Sequence, residues 1–331
     1  MLRFGLLGAG RIGHVHGPNI AASPQATLVA VADVDKTAAA ALCDKTGASV
    51  REATEILSAG DIDAVLIGSP TDTHADYIEA AARSGKAVLC EKPVDLASAR
   101  VEACLKVVEQ AAIPLMIGFN RRFDPNFSAL QQRIARGAIG RVEIVTVISR
   151  DPAPPPVSYI ERSGGLYRDM MIHDFDIVRF MLGEEPVELT AYGSALVDPA
   201  IGEAGDVDTA LVILKTASGK LAQISNSRRA AYGYDQRIEV HGSDGMARAD
   251  NIHETTVEIA GKGGFTGDPV RHFFLERYAD AYRLELAAFI EAVSRGVPPS
   301  PSGRDGLRAQ RLADAATESR RTGRPVAVPV E

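Results

Sequence analysis

The chain has 331 residues, too many for one ordinary core and nearest to two domains by length. It is 46% hydrophobic and 24% charged, a globular balance that excludes a disordered tail. Lys plus Arg total 36 against 43 Asp plus Glu, a net charge of -7, so neither nucleic acid nor an anionic membrane is an expected partner. Three cysteines (Cys43, Cys90, Cys104) without C-x-x-C spacing offer neither a disulfide framework nor a zinc knuckle. No apolar run is long enough to span a bilayer, and residues 2–7 lack the features of a signal peptide. A soluble, cytoplasmic protein is expected.

Short apolar runs at 2–7, 27–32, 64–67, 87–90 and 115–117 alternate with alanine-rich stretches at 36–45, 73–83 and 97–111. Strands fed by helical crossovers predict a parallel, doubly wound sheet over residues 1–120. A helix is predicted at 125–136 and a strand at 141–149. The run Asp151-Pro152-Ala153-Pro154-Pro155-Pro156 then reads as a stiff loop. One helix is predicted over 167–182, followed by strands at 187–196, 207–214, 221–225, 236–241 and 255–259. Helices at 275–294 and 304–322 close the chain. Residues 121–331 are thus expected to form an α+β domain with a large open, mainly antiparallel sheet, for substrate binding and oligomerisation. The last helix has the option of packing back on the first domain.

After the first strand stands Gly8-Ala9-Gly10-Arg11-Ile12-Gly13, opening a helix. Gly8 permits a tight turn, Gly10 lets backbone approach a pyrophosphate, and Gly13 lets helix and strand pack closely. The helix start offers N–H groups and a positive dipole end. Asp33 closes the second strand, where a carboxylate accepts hydrogen bonds from both ribose hydroxyls and repels an added phosphate. NAD is therefore expected over NADP, although Arg11 and Lys36 would soften that repulsion.

At the end of the fifth strand stands Glu91-Lys92-Pro93. Ligand crevices form at the carboxyl ends of parallel strands, so Lys92 is placed to hydrogen-bond a reacting oxygen or accept its proton. With Ser69-Pro70-Thr71 and the 117–123 segment, these motifs resemble the Gfo/Idh/MocA family of NAD(P)-dependent oxidoreductases across essentially the whole chain. The resemblance implies a catalytic or substrate-orienting Lys92 and a cis Pro93. It also implies Ser69, Thr71 and His74 along the cofactor and Glu91 beside the nicotinamide ribose.

Residues 164–176 carry Asp169 and His173, four apart and on one face of a continuous helix. A neutral imidazole suits removal of a hydroxyl proton, and a carboxylate beside it fixes the ring or binds a neighbouring hydroxyl. Family dehydrogenases carry Asp-x-x-x-His at this place, which implies catalytic roles for both. A narrower resemblance, to the family's inositol dehydrogenases, rests on 149–152, 164–176 and 232–237; Ser149 and Asp151 depart from some members, which carry His and Asn there. It implies oxidation of a ring CH–OH of myo-inositol, with hydride passing to NAD, or of another cyclitol or an aldose. A non-catalytic NAD-binding regulator is the rival of a different class. Asn120, Arg122, Asp151 and Tyr234 are candidate polyol contacts, beside salt-bridge readings for Arg122 and Asp151 and a core reading for Tyr234. The order of proton transfer between Lys92 and His173 stays open, as does whether Asp169 orients His173 or pairs with Lys92. His14 and His16 lie two apart and do not converge on one ion, so no metal is expected. Cys90 reads as inert core, and Arg304, Arg308 and Arg311 as a solvated face or subunit contact. An apolar open sheet face predicts homotetramers or homodimers built through the C-terminal sheet.

Overall fold

The computed structural model describes residues 1–330, residue 161 by its backbone alone. In chain order the elements begin with Leu2–Leu7 (β1), Gly13–Ala22 (α1), Ala26–Ala32 (β2), Lys36–Thr46 (α2), Ser49–Val50 (β3) and Ala53–Ser58 (α3). Ala64–Ile67 (β4), His74–Arg83 (α4), Ala87–Glu91 (β5), Ser98–Ala111 (α5), Leu115–Gly118 (β6) and Pro125–Ala135 (α6) follow. Next come Val142–Arg150 (β7), Val157–Ser163 (α7), Gly165–Asp169 (α8), Ile172–Leu182 (α9), Pro186–Ser194 (β8) and Pro199–Glu203 (α10). Then stand Thr209–Thr216 (β9), Leu221–Ser227 (β10), Asp235–Gly242 (β11), Gly245–Ala249 (β12), Glu258–Gly261 (β13) and Gly264–Gly267 (β14). Phe274–Arg277 (α11), Ala279–Arg295 (α12), Gly303–Thr322 (α13) and Val326–Ala327 (β15) complete the order.

Two compact units result. The first joins Met1–Phe123 to Asp280–Gln310. The second joins Asp124–Ala279 to residues 311 onward. Residues 280–310, which the sequence reading placed beyond the 120/121 division with an option for the last helix to pack back, thus cluster with the first unit. On α12, Leu286, Phe289 and Ile290 join the core built on Phe4, Leu6, Leu28 and Leu66, and the Phe289 ring lies 6.0 Å from that of Phe4. An amphipathic helix shows the same period whichever sheet it covers, so its destination was hidden from the sequence.

In the first unit a parallel six-stranded sheet runs β3-β2-β1-β4-β5-β6. Its order reverses between β1 and β4, and such a switch point opens a crevice at the strands' carboxyl ends. The middle strands are buried throughout, as crossover helices on both faces require. Asp35 caps α2 by accepting from Thr37 N at 2.9 Å and Ala38 N at 3.2 Å, a contribution of about 1 kcal/mol. Two-residue β3 escaped the sequence reading because it is exposed and carries no apolar run.

The second unit holds a mixed seven-stranded sheet, β12-β11-β7-β10-β9-β8-β15, in which only the β7–β10 pairing is parallel. Along β9 burial alternates, with Ala210, Val212 and Leu214 inward and Leu211 and Ile213 outward. Register puts Tyr192, Leu211, Ser225 and Ile148 in one row and Thr190, Ile213, Gln223 and Thr146 in the next, so one open face carries exposed Tyr192, Leu211 and Ile213 among hydroxyl and amide side chains. The strand predicted at 255–259 does not join this sheet; β13 instead pairs with β14 in a separate exposed hairpin. Among the described residues, no helix is long and apolar enough to cross a membrane.

Candidate active site

The loop after β1 is shaped by close approach. Gly8 has φ +108°, and a Cβ there would lie 2.6 Å from the carbonyl of Gly68. On Gly13 it would meet the Gly8 carbonyl oxygen at 2.2 Å. Both positions admit only glycine. Gly10 is the reverse case: nothing lies within 4 Å of its would-be Cβ. That open backbone, with α1 beginning behind it uncapped by any side chain, fits a pyrophosphate. Ala9 N donates to Asp33 Oδ2 at 2.6 Å and Asp35 N to Oδ1 at 2.9 Å, which fixes the carboxylate at the end of β2. Arg11 is exposed and Ile12 half-buried. These residues fit a dinucleotide.

The second wall of the crevice comes from β4 and β5. Ser69 Oγ and Thr73 Oγ1 share a hydrogen bond of 2.6 Å, with Thr71 starting the short turn between them. His74 is buried, and its two ring nitrogens lie 2.8 Å from the carbonyls of Pro93 and Ser69. Through both ring nitrogens His74 braces these two loops. Lys92 is half-buried beyond β5, and its bond to Pro93 is cis. Glu91 directs Oε1 at His16 Nε2, 2.7 Å away. Burial pushes the Cys90 thiol well above its ordinary pKa, which removes it as a nucleophile.

After β6, Asn120 is buried with Oδ1 lacking a hydrogen-bond partner among the described residues. An orphaned acceptor of this kind suits a ligand hydroxyl. Arg122 pairs with Asp305, at the start of α13, at 3.0 Å.

In the second unit the predicted single helix is interrupted. Asp206 accepts from Leu166 N at 3.2 and 3.0 Å and so anchors the start of α8. A Cβ on Gly165 would lie 2.5 Å from that carboxylate. Met171 N reaches back to Leu166 O at 2.9 Å, a wider turn that separates α8 from α9. Met170 and Met171 keep right-handed helical dihedrals through the break. Asp169 ends α8 and His173 lies, half-buried, in the first turn of α9. Tyr159 donates to Asp169 Oδ1 at 3.0 Å, and Arg228 Nη2 approaches Oδ2 at 3.4 Å.

The sequence missed Tyr159, Asn226 and Arg228. Asn226 Nδ2 donates to Asp174 Oδ2 at 2.8 Å and to the Ser149 carbonyl at 3.1 Å, tying α9 to the sheet. The only signal was a polar run, Ser225 to Arg229, ending a strand whose other residues alternate. Ser149 Oγ and Gln236 exchange hydrogen bonds in the interior, and Tyr278 donates to Gln236 Oε1 at 3.2 Å. Asp151 is half-buried just past β7, its N–H on the Ser227 carbonyl at 3.0 Å. Tyr234 is buried, with its ring edge-on to that of Tyr278 at 5.9 Å. Tyr232 is half exposed and donates to Asp235 Oδ2 at 2.6 Å.

The NAD-binding Rossmann-fold profile of the Gfo/Idh/MocA oxidoreductases matches residues 2–119, and the C-terminal alpha/beta domain profile matches residues 131–328. The chain belongs to this family. It is 58% identical over 318 residues to the inositol 2-dehydrogenase of Rhizobium meliloti, covering 96% of each chain. Among solved structures, a myo-inositol dehydrogenase from Corynebacterium glutamicum matches 100% of both chains at 46% identity and a TM-score of 0.96. A Lactobacillus casei myo-inositol dehydrogenase in complex with NAD(H) and myo-inositol matches at 26% identity and a TM-score of 0.89, covering 100% of this chain and 98% of that one. For a Gfo/Idh/MocA oxidoreductase, the open backbone at Gly10 and the fixed Asp33 are the features that an NAD-binding Rossmann domain needs.

Proposed function

We propose that the chain oxidises myo-inositol to 2-keto-myo-inositol, an NAD-dependent dehydrogenase reaction on a ring CH–OH. The observation that carries this reading is the likeness to an inositol 2-dehydrogenase at 58% identity over 96% of both chains. Bound NAD supplies the hydride acceptor. Lys92 polarises the reacting oxygen, and His173 takes the hydroxyl proton. Asp169, held by Tyr159 and Arg228, orients the site's polar groups. Asn120 and Asp151 supply hydrogen bonds to the remaining ring hydroxyls, and an analogue that leaves such groups unmatched binds worse.

The test is NADH formation from purified protein, NAD and myo-inositol, with scyllo-inositol, glucose and NADP in parallel. Rapid turnover with NAD and myo-inositol is expected. Turnover with another polyol alone would move the substrate, and silence despite NADH binding would favour a regulator.

NAD is the preferred nucleotide because Asp33 faces the ribose position with both oxygens already fixed by backbone donors. Lys36, a candidate to offset its charge, pairs instead with Glu52 at 2.6 Å. Asp33→Ser is expected to shift the ratio of kcat/KM for NAD over NADP by about a hundredfold towards NADP, since like charges in contact cost several kcal/mol. An unchanged ratio would remove Asp33 as the discriminator.

The open face around Leu211 and Ile213 supports a homo-oligomer assembled through the second sheet. Ile213→Glu is expected to convert it to monomers in light scattering. A monomeric wild type would overturn this assembly. The reduced, buried cysteines suit work in the cytoplasm.

A further inference from the structure

Three titratable side chains of the first unit meet behind the glycine loop: His16 on α1, Glu91 at the end of β5 and Glu285 on α12. One oxygen or nitrogen from each lies within 4.8 Å of the others. Glu91 is the hub, with Oε1 on His16 Nε2 at 2.7 Å. Its other oxygen lies over Gly118, where a Cβ would stand 2.9 Å away, so the glycine of β6 leaves it room in this position. Tyr282, one turn before Glu285, sets its ring edge-on to His16 with centroids 5.4 Å apart.

Glu285 has no ordinary reason to be there. It is fully buried, and neither carboxylate oxygen has a hydrogen-bond partner among the described residues. An ionised carboxylate so placed is strongly disfavoured, and a core leucine would fill the space without that cost. Burial, with the Glu91 charge, pushes Glu285 well above the usual carboxylate range, which favours the protonated form that has an O–H to give. The acceptor nearest in chemistry is the Glu91 carboxylate. Glu91 is bonded directly to Lys92, so whatever fixes its side chain fixes the strand end from which the lysine departs.

We propose that His16 and Glu285 are positioning residues that clamp the Glu91 carboxylate from two sides and thereby place Lys92 for reaction. This rests on the reading of Lys92 as the group that polarises the substrate oxygen. A packing role and a donor role for Glu285 separate by substitution. Gln keeps the shape and a donor, and Leu keeps the volume without one.

The test compares E285Q, E285L and E285A in the full chain by kcat and KM for myo-inositol oxidation, NADH binding by fluorescence, and the rate of reductive methylation of Lys92 by peptide mass spectrometry. E285L and E285A are expected to lower kcat about tenfold or more, as a misplaced reacting group does, with NADH affinity within about threefold of wild type. Both are expected to change the Lys92 methylation rate severalfold, and E285Q to restore kcat and that rate to within about twofold. Wild-type kcat and wild-type Lys92 labelling in E285L would overturn the clamp and leave packing as the role. A stoichiometric metal ion retained after chelation would overturn it too, by making the three side chains ligands. If E285A fails to fold, the E285Q and E285L pair decides. A wild type silent on every polyol would sink the functional reading, while the Lys92 labelling would still judge the clamp.

Discussion

Lys92→Ala is expected to lower kcat for myo-inositol oxidation by about 10²–10⁴, the usual share of a positioned acid–base group, with NADH binding nearly unchanged. Lys92 follows the last residue of β5, at the carboxyl edge where an open parallel sheet places its ligand. Its neighbours are built to hold this turn still, with Glu91 on His16 and the Pro93 carbonyl on His74. The side chain itself is half-buried and contributes little to the hydrophobic core, so its loss leaves the fold intact. His173→Ala is expected to fall as far, and the double variant no further than the worse single one if the two act in one proton path. Steady-state kinetics beside fluorescence titration of NADH check this. Full turnover in Lys92→Ala would remove the lysine from the chemistry.

The largest stability effect is expected at Asp124. It sits with Arg277 in a pair whose side chains are each 1% exposed, so solvent screening does not weaken the attraction. Arg277 Nη1 donates to Asp124 Oδ2 and Nη2 to Oδ1 at 3.3 Å, while the guanidinium stacks 5.2 Å from the Phe127 ring centroid and 4.8 Å from that of Tyr278. Asp124 also caps α6, accepting from Asn126 N and Phe127 N at 3.1 Å each. Asp124→Ala strands a buried cation and is expected to cost about 3–5 kcal/mol. In a unit of this size that is a fall of about 10 °C in Tm. Asp124→Asn keeps the cap and loses only the charge, so it should fall between. Differential scanning calorimetry of the three proteins decides; an Asp124→Ala protein melting with wild type would show that the pair adds no stability.

The parts of this molecule legible in its sequence are those governed by local rules. The glycine loop, Asp33 and the Glu-Lys-Pro turn lie within a few residues of a strand end, where one residue type satisfies one backbone demand. The strand alternation of β9 was equally open to reading. Contacts made at long range were not. Arg228 and Tyr159 reach Asp169 from other elements, and no periodicity marks a residue for such a task. The break between α8 and α9 escaped for the same reason, because it turns on Asp206, which arrives from a distant loop. Glu285 shows the limit most sharply: on α12 it reads as one more acidic residue of an amphipathic helix, although its side chain ends in the core.

The return of residues 280–310 to the first unit bears on how the protein is made. Synthesis proceeds from the amino end, and at 5–20 residues per second the stretch between Phe123 and Asp280 takes roughly ten to thirty seconds to emerge. Throughout that interval Phe4, Leu28 and Leu66 wait without Leu286, Phe289 and Ile290. The second unit waits as well, since residues 311 onward belong to it. Neither half has all of its residues until the last stretch of the chain is made, and an exposed nascent nucleotide fold is the stage at which a chaperone has the most to protect.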